Sequence, residues 1–275
     1  MTKRRRRLEL IAEVALVSLL LYAFVEPFLL RVREVVVCDE DVPAEFDGLR
    51  IAFLADFHCS WFFPPGRVAG VVERTNALAP DLVVLGGDYV HSGSDYVDGC
   101  FAELAKLRAP MGVYGVLGNH DHWGAAEAAR QAMDRAGIVS LDNRAAWLER
   151  GRAHIKLGGV GDFWEDRHDI QPIVHDLVSA DFAMLVSHNP DTAETLTTDL
   201  VDVVLAGHTH GGQVTLFGLW APVMPSDYGQ KYRSGTVAAP HTTVVLTNGA
   251  GGPPIRFCAR PEIVLVTLRH EEPLP

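Results

Sequence analysis

Cysteine is scarce in this chain, and none of it is paired. The four residues Cys38, Cys59, Cys100 and Cys258 lie far apart, without a C-x-x-C spacing. That excludes a zinc knuckle, a dithiol redox motif and a disulfide framework. Positive charge is also scarce outside one place. Lys3–Arg7 takes five of the 24 basic residues, leaving 19 against 35 acidic ones, a body of net charge −16 within a chain of −11. So acidic a body excludes nucleic acid as the default partner. There is no internal repeat and no low-complexity tract, which excludes a solenoid or a disordered chain. What remains is ordinary globular composition, 48% hydrophobic and 21% charged over 275 residues. That length suits one large α/β domain.

Long apolar runs are absent except at the amino terminus. A mostly apolar stretch covers residues 8–30, and residues 14–25 carry no charge. A spanning helix needs about 20 apolar residues, which this stretch reaches only by tolerating Glu13 and Glu26 near its ends. Ala23-Phe24-Val25 is a poor signal cleavage site. The stretch reads as an uncleaved membrane anchor, with an interfacial helix and a cleaved signal as the alternatives. The basic cluster before it predicts a cytoplasmic amino terminus, so a spanning helix would place the rest on the outer face. The expected organisation is an anchor or interfacial helix over 1–30, a linker with an edge strand over 31–48, and one catalytic domain over 49–270.

Within that domain, short apolar runs alternate with helical patterns. The runs at 49–55, 81–85, 112–117, 180–186 and 201–206 are nearly continuous, as strands buried on both faces are. Between them, 67–78, 97–107 and 125–136 carry apolar residues at helical spacing, and a last strand covers 262–268. Strands alternating with helices predict an α/β layered core.

Each apolar run ends in residues of metal-binding type. They are Asp56-Phe57-His58, then Gly87-Asp88, Gly118-Asn119-His120-Asp121, His188, and Gly207-His208-Thr209-His210. In α/β sheets the carboxyl ends of the strands are where ligands bind. In an extended segment residues i and i+2 point the same way, so Asp56 with His58, and His208 with His210, can each aim two ligands at one place. The adjacent glycines permit sharp turns and leave room. Seven candidate ligands, Asp56, His58, Asp88, Asn119, His188, His208 and His210, exceed what one tetrahedral ion takes. Two divalent ions are implied, and imidazole with carboxylate suits Mn, Fe or Zn. Any one of these residues is ordinary alone; five strand ends agreeing is the signal.

These blocks resemble those of the calcineurin-like metallophosphoesterase family, and all appear in order. The resemblance implies a four-layer sandwich of two mixed β-sheets flanked by helices. It implies one metal site of Asp56, His58, Asp88 and His210. It implies a second of Asp88, Asn119, His188 and His208, with Asp88 shared. His120 resembles the family histidine that stabilises the transition state or protonates the leaving oxygen, and Asp121 is expected to orient it. Glu26-Pro27, Ser187-His188-Asn189-Pro190-Asp191, Pro225-Ser226-Asp227-Tyr228-Gly229 and Arg256-Phe257 look like a bacterial membrane-associated phosphodiesterase subgroup. Some members of that subgroup cleave UDP-diacylglucosamine in lipid A synthesis. Gly87-Asp88 continues Tyr89-Val90-His91, so the G-D-x-x-D-R-G block of Ser/Thr protein phosphatases is missing.

The expected activity is a metal-dependent phosphodiesterase or pyrophosphatase acting on a lipid-linked or nucleotide-linked phosphate. A non-hydrolytic phospholipid-binding or sensor protein and a phosphomonoesterase are the rivals. The apolar loops at 61–65 and 216–220 serve either packing or a lipid. Lys231, Arg233 and Arg256 are candidate phosphate contacts, and His91 and His122 candidate substrate contacts.

Overall fold

A computed structural model describes residues 3–271. Two six-stranded sheets stack face to face. The strands are β1 (Arg31–Asp39), β2 (Arg50–Leu54), β3 (Leu82–Leu85), β4 (Val113–Gly115), β5 (Val139–Ser140), β6 (Arg144–Arg150), β7 (Ala153–Gly159), β8 (Ala183–Ser187), β9 (Val203–Ala206), β10 (Thr236–Ala238), β11 (Thr243–Leu246) and β12 (Glu262–His270). The first sheet runs β1-β12-β2-β3-β4-β5 and the second β10-β11-β9-β8-β7-β6. Both are mixed. β12 is antiparallel to β2, while β2, β3, β4 and β5 run parallel. β7, β8 and β9 run parallel, with antiparallel β6 at one edge. β1 closes the other edge of the first sheet.

The continuous apolar runs find apolar cover on both sides. Ile51 and Phe53 of β2 meet Met184 and Val186 of β8 and Val203 and Leu205 of β9 in the core between the sheets. Ala52 and Leu54 point the other way, onto helices α2 (Pro65–Ala77), α3 (Val97–Leu104) and α5 (Ala126–Arg135), numbered with α1 (Lys3–Val25) and α4 (Asn119–His122). Val204 and Ala206 of β9 face a third core with Ile173, Leu196 and Tyr232. This is the four-layer arrangement expected. Pro64 and Pro65 start α2, where a missing N–H costs nothing. The helix read at 97–107 stops at Leu104. The β6–β7 hairpin, turning at Gly151 with φ +66°, was not anticipated.

Helix α1, with the turn that follows it to Phe28, is long and apolar enough to cross a membrane. The part of α1 after the basic run, residues 8–25, is 18 residues, about 27 Å at 1.5 Å each, against about 30 Å of hydrocarbon. Leu10, Val14, Val17 and Leu21 are more than half exposed, while Ala23 and Glu26 at its carboxyl end are buried against the domain.

Candidate metal centre

Five parallel strands, β2, β3 and β4 of one sheet and β8 and β9 of the other, end at one place. They deliver Asp56, His58, Asp88, Asn119, His188, His208 and His210 to it, buried except for half-buried His210. The backbone there departs from the extended geometry expected for the i, i+2 pairs. Asp56 (φ 56°), His58 (50°), Asp88 (56°), His208 (68°) and His210 (51°) are all left-handed. Non-glycine residues in that region are uncommon, and they gather where surrounding contacts over-determine them. Main-chain bonds do so here: Asp56 N–H donates to Gly87 O (2.9 Å), His58 N–H to Asp88 O (2.9 Å) and Gly207 N–H to His188 O (3.0 Å). Gly118 and Gly207 make room for carboxylates. A Cβ on Gly118 would lie 2.3 Å from Asp88 Oδ1, and one on Gly207 would lie 2.5 Å from Asp56 Oδ2.

The ligand-type atoms converge in two groups. His58 Nε2 lies 2.9 Å from His210 Nε2, and the latter lies 3.3 Å from Asp56 Oδ1. His188 Nε2 lies 3.2 Å from His208 Nδ1 and 3.2 Å from Asp88 Oδ2. The same Asp88 Oδ2 is 3.4 Å from His58 Nε2, so this carboxylate stands between the groups. Asp56, His58 and His210 offer ligand atoms within 4.8 Å of one another, and so do Asp56, Asp88 and His188. Asn119 Oδ1 is buried without a hydrogen-bond partner.

The electrostatics describe a site short of positive charge. Burial lowers the pKa of His58 to about 3 and, reinforced by His188, that of His208 to about 3, and it pushes His210 well below the usual range. These three imidazoles are therefore neutral, the form that binds metals. Burial also opposes charge on His188, but adjacent Asp88 outweighs it and raises His188 to about 10. Burial alone would raise Asp88, yet His188 and His58 hold it well below the carboxylate range. Two pairs of imidazole nitrogens face each other beside carboxylates, with an orphaned amide oxygen nearby. This donor set fits divalent cations, which need deprotonated nitrogen and oxygen ligands.

The sequence model of the calcineurin-like phosphoesterase family matches residues 49–212. This chain belongs to that family. It is a metal-dependent phosphoester hydrolase. It is 30% identical over 253 residues to the metallophosphoesterase YkuE of Bacillus subtilis, an alignment covering 90% of this chain and 88% of the relative. It is 30% identical over 225 residues to phosphodiesterase YaeI of Escherichia coli, covering 80% and 82%. A Danio rerio protein named transmembrane protein with metallophosphoesterase domain is 29% identical, covering 87% of this chain and 57% of that one. Haemophilus influenzae NAD nucleotidase superposes with a TM-score of 0.51 at 14% identity, over 73% of this chain and 45% of that one, a likeness of fold.

Two expectations for this phosphoesterase need correction. Asp121 does not touch His120. Its Oδ2 accepts the Asp88 and Gly118 amides (2.8 and 3.0 Å) and its Oδ1 those of Tyr89 and Val90 (2.9 and 3.2 Å). It ties the Asp88 loop to the Asn119 loop. His120 is oriented instead by His91, whose carbonyl accepts from His120 Nδ1 at 2.6 Å. Arg256 is no surface phosphate contact, for it is fully buried. Lys231 pairs with Glu194.

Two walls of the site, Trp123 and Trp164, were not read from the sequence, whereas Phe62 and His91 were. Trp123 packs on the His120 ring at 4.0 Å between centroids, and Trp164 stands edge-on to His208 at 4.4 Å. Phe62 meets His91 at 5.1 Å, and His91 meets His120 at 5.1 Å. Trp123, two residues after Asp121, had a positional signal. Trp164 had none, because its loop supplies none of the seven candidate ligands.

Proposed function

We propose that this enzyme is a dinuclear phosphodiesterase that hydrolyses a lipid-linked phosphodiester or diphosphate at a membrane surface. Asp56, His58, Asp88 and His210 would hold one divalent ion, and Asp88, Asn119, His188 and His208 the other. The carrying observation is Asp88 Oδ2 lying within 3.4 Å of an imidazole from each group. When bound, such ions polarise phosphoryl oxygens and acidify a water nucleophile. The chain's own part is to hold them and to manage the leaving group. With Nδ1 held by the His91 carbonyl, Nε2 is the ring atom of His120 left to serve the leaving oxygen. Trp123 stands against His120 and Trp164 against His208, giving the site two aromatic walls.

The lipid-linked class is supported by apolar surface beside α1. Phe217, Leu219 and Val223 are exposed, as is Trp61 in the loop that leads to Phe62 and His91. Phe217 meets Phe257 (6.1 Å), which in turn meets Tyr22 of α1 (6.0 Å). Exposed Trp, Phe and Leu continuous with an apolar helix suit the bilayer interface. The basic residues in the first turns of α1 favour an outer-face location for this surface if α1 spans. UDP-diacylglucosamine is one substrate of this class; an outer-face location would favour a lipid diester displayed there instead.

The test is turnover by the full chain in detergent micelles with Mn, Fe or Zn. Expected is hydrolysis of a lipid phosphodiester in mixed micelles and of a soluble aryl phosphodiester, with slower attack on the aryl monoester. Binding of phospholipid without turnover under all three metals would leave the sensor reading standing.

A further inference from the structure

Two sequence features at opposite ends of the chain, Glu26-Pro27 and Arg256-Phe257, have no role among the metal ligands. The fold brings them together. Glu26, fully buried, follows the last residue of α1. Its Oε2 accepts the Cys258 amide and its Oε1 the Ala259 amide, each at 2.7 Å. Three residues earlier, the Ala23 carbonyl of α1 accepts the Arg256 amide at 2.9 Å. The Leu29 carbonyl accepts from Arg260 Nε at 2.9 Å. The end of the apolar helix is thus stapled to residues 256–260 by backbone and carboxylate bonds.

Those residues carry Arg256 beneath the metal centre. Its guanidinium donates to main-chain carbonyls, Ala259 O (2.6 Å) and His210 O (3.4 Å) from Nη1 and Gly251 O (2.7 Å) and Asn248 O (2.8 Å) from Nη2, and Nη2 also lies 3.3 Å from His210 Nδ1. It forms no ion pair among the described residues. The segment it gathers lies against the proposed ligands. A Cβ on Gly249 would lie 2.7 Å from Asp56 Cβ, and one on Gly252 would lie 2.9 Å from His210 Nδ1. His210 itself sits at φ 51°, a conformation that must be held from outside.

The geometry points to Glu26 as a positioning residue that, through residues 256–259 and Arg256, sets the backbone of His210 and the back of Asp56. The carboxyl end of the apolar helix is then part of the frame of one metal site, in addition to any anchoring role. This rests on the assignment of Asp56 and His210 as metal ligands. It distinguishes the two ions, because the side chains of His188 and His208 make no hydrogen bond to residues 256–259 among the described residues.

The experiment uses the full chain in detergent micelles and compares wild type, Glu26→Gln, Glu26→Ala and Arg256→Lys. Metal binding is followed by calorimetry with Mn²⁺ and by metal content after dialysis. Expected is a weakening of one of two Mn²⁺ ions by about tenfold in Glu26→Ala, the lower end of what the supports of metal ligands contribute. The other ion keeps its affinity, and high Mn²⁺ restores kcat. Glu26→Gln, which keeps one acceptor oxygen, falls between and carries the test if Glu26→Ala does not fold. In the Glu26→Gln, Arg256→Lys double variant the two losses should be non-additive, since both act through one segment. Unchanged affinity for both ions in folded Glu26→Gln, equal weakening of both, or additive losses would overturn the inference. Each leaves the proposed function intact so long as the wild type binds two ions and turns over.

Discussion

Replacing Asp88 by Asn tests the centre at the residue on which both groups depend. The substitution keeps the size of the side chain and the acceptor oxygen for the His120 amide, now 2.9 Å from Oδ1. It removes one negative charge from a position 3.2 Å from His188 and 3.4 Å from His58. Opposite unit charges about 4 Å apart interact by about 4 kcal/mol at an effective dielectric of 20. Lost against a bound cation, that is roughly a thousandfold in Kd. With metal at a thousand times the wild-type Kd, binding stabilises the wild-type fold by about 4.1 kcal/mol, and the variant by about 0.4 kcal/mol. At about 2–4 °C per kcal/mol for a chain of this size, the wild type gains roughly 8–16 °C in Tm on adding metal and the variant about 1–2 °C. The comparison has to be the gain on adding metal, for the metal-free proteins also differ. His188 has a folded-state pKa raised to about 10 chiefly by Asp88, against 6.5 when unfolded. A raised pKa adds stability that is complete below 6.5 and lost as pH climbs through 10, so the variant forfeits part of it at pH 7. Scanning calorimetry in detergent, with and without Mn²⁺, gives both numbers. If Asp88→Asn keeps the full wild-type gain and hydrolyses an aryl phosphodiester normally, no ion is shared at Asp88 and the two-ion reasoning fails.

The same geometry fixes three other outcomes. His120→Ala should lower kcat by about 10²–10⁴-fold while leaving the metal-dependent gain in Tm unchanged; a normal kcat would remove His120 from the chemistry. Asp121→Ala strands four buried amide donors, each costing about 1–3 kcal/mol when unpaired, so denaturant unfolding should show a loss of at least about 3 kcal/mol; a loss below about 1 kcal/mol would show that the two loops hold together without it. Asp202 has its pKa raised to about 7 by burial, then by nearby Asp39 and Asp41. Its ionisation therefore opposes folding, with the penalty absent near pH 4 and complete above pH 7. Asp202→Asn should raise Tm at pH 8 and change little at pH 4.5, and a lower Tm at pH 8 would mean that the charge is needed there.

The layered fold and the convergence of the site were legible because both arise from strand-level rules. Runs such as Leu82–Leu85 are apolar at every position because each face meets a different core. Parallel strands must end at the same edge, so the loops leaving β2, β3, β4, β8 and β9 meet there. The cause expected for the pairing of Asp56 with His58, and of His208 with His210, was nevertheless incorrect. Extended backbone would aim such pairs together, but all four residues are left-handed. The pairs converge because the crossed main-chain bonds of neighbouring loops force the turn, and a bond between Asp56 N and Gly87 O has no signature in either segment alone.

The same limit explains the misreading of Asp121 and Arg256. Both bind the main chain, Asp121 four amides and Arg256 four carbonyls, and every residue type offers a carbonyl and all but proline an amide. Side-chain pattern can announce a ligand set, because metals select for imidazole and carboxylate. It cannot announce a support whose bonds run mainly to backbone. A fully buried arginine without a carboxylate partner among the described residues is costly; bonds from Nη1 and Nη2 offset part of that cost while Nε stays without a partner, and the loops it gathers at Asn248, Gly251 and His210 would shift if it left. That cost is the physical reason to look for function in Glu26, which holds the segment that Arg256 gathers. A chain selected only to attach this domain to a bilayer would have no need to bury a carboxylate at the end of its anchor.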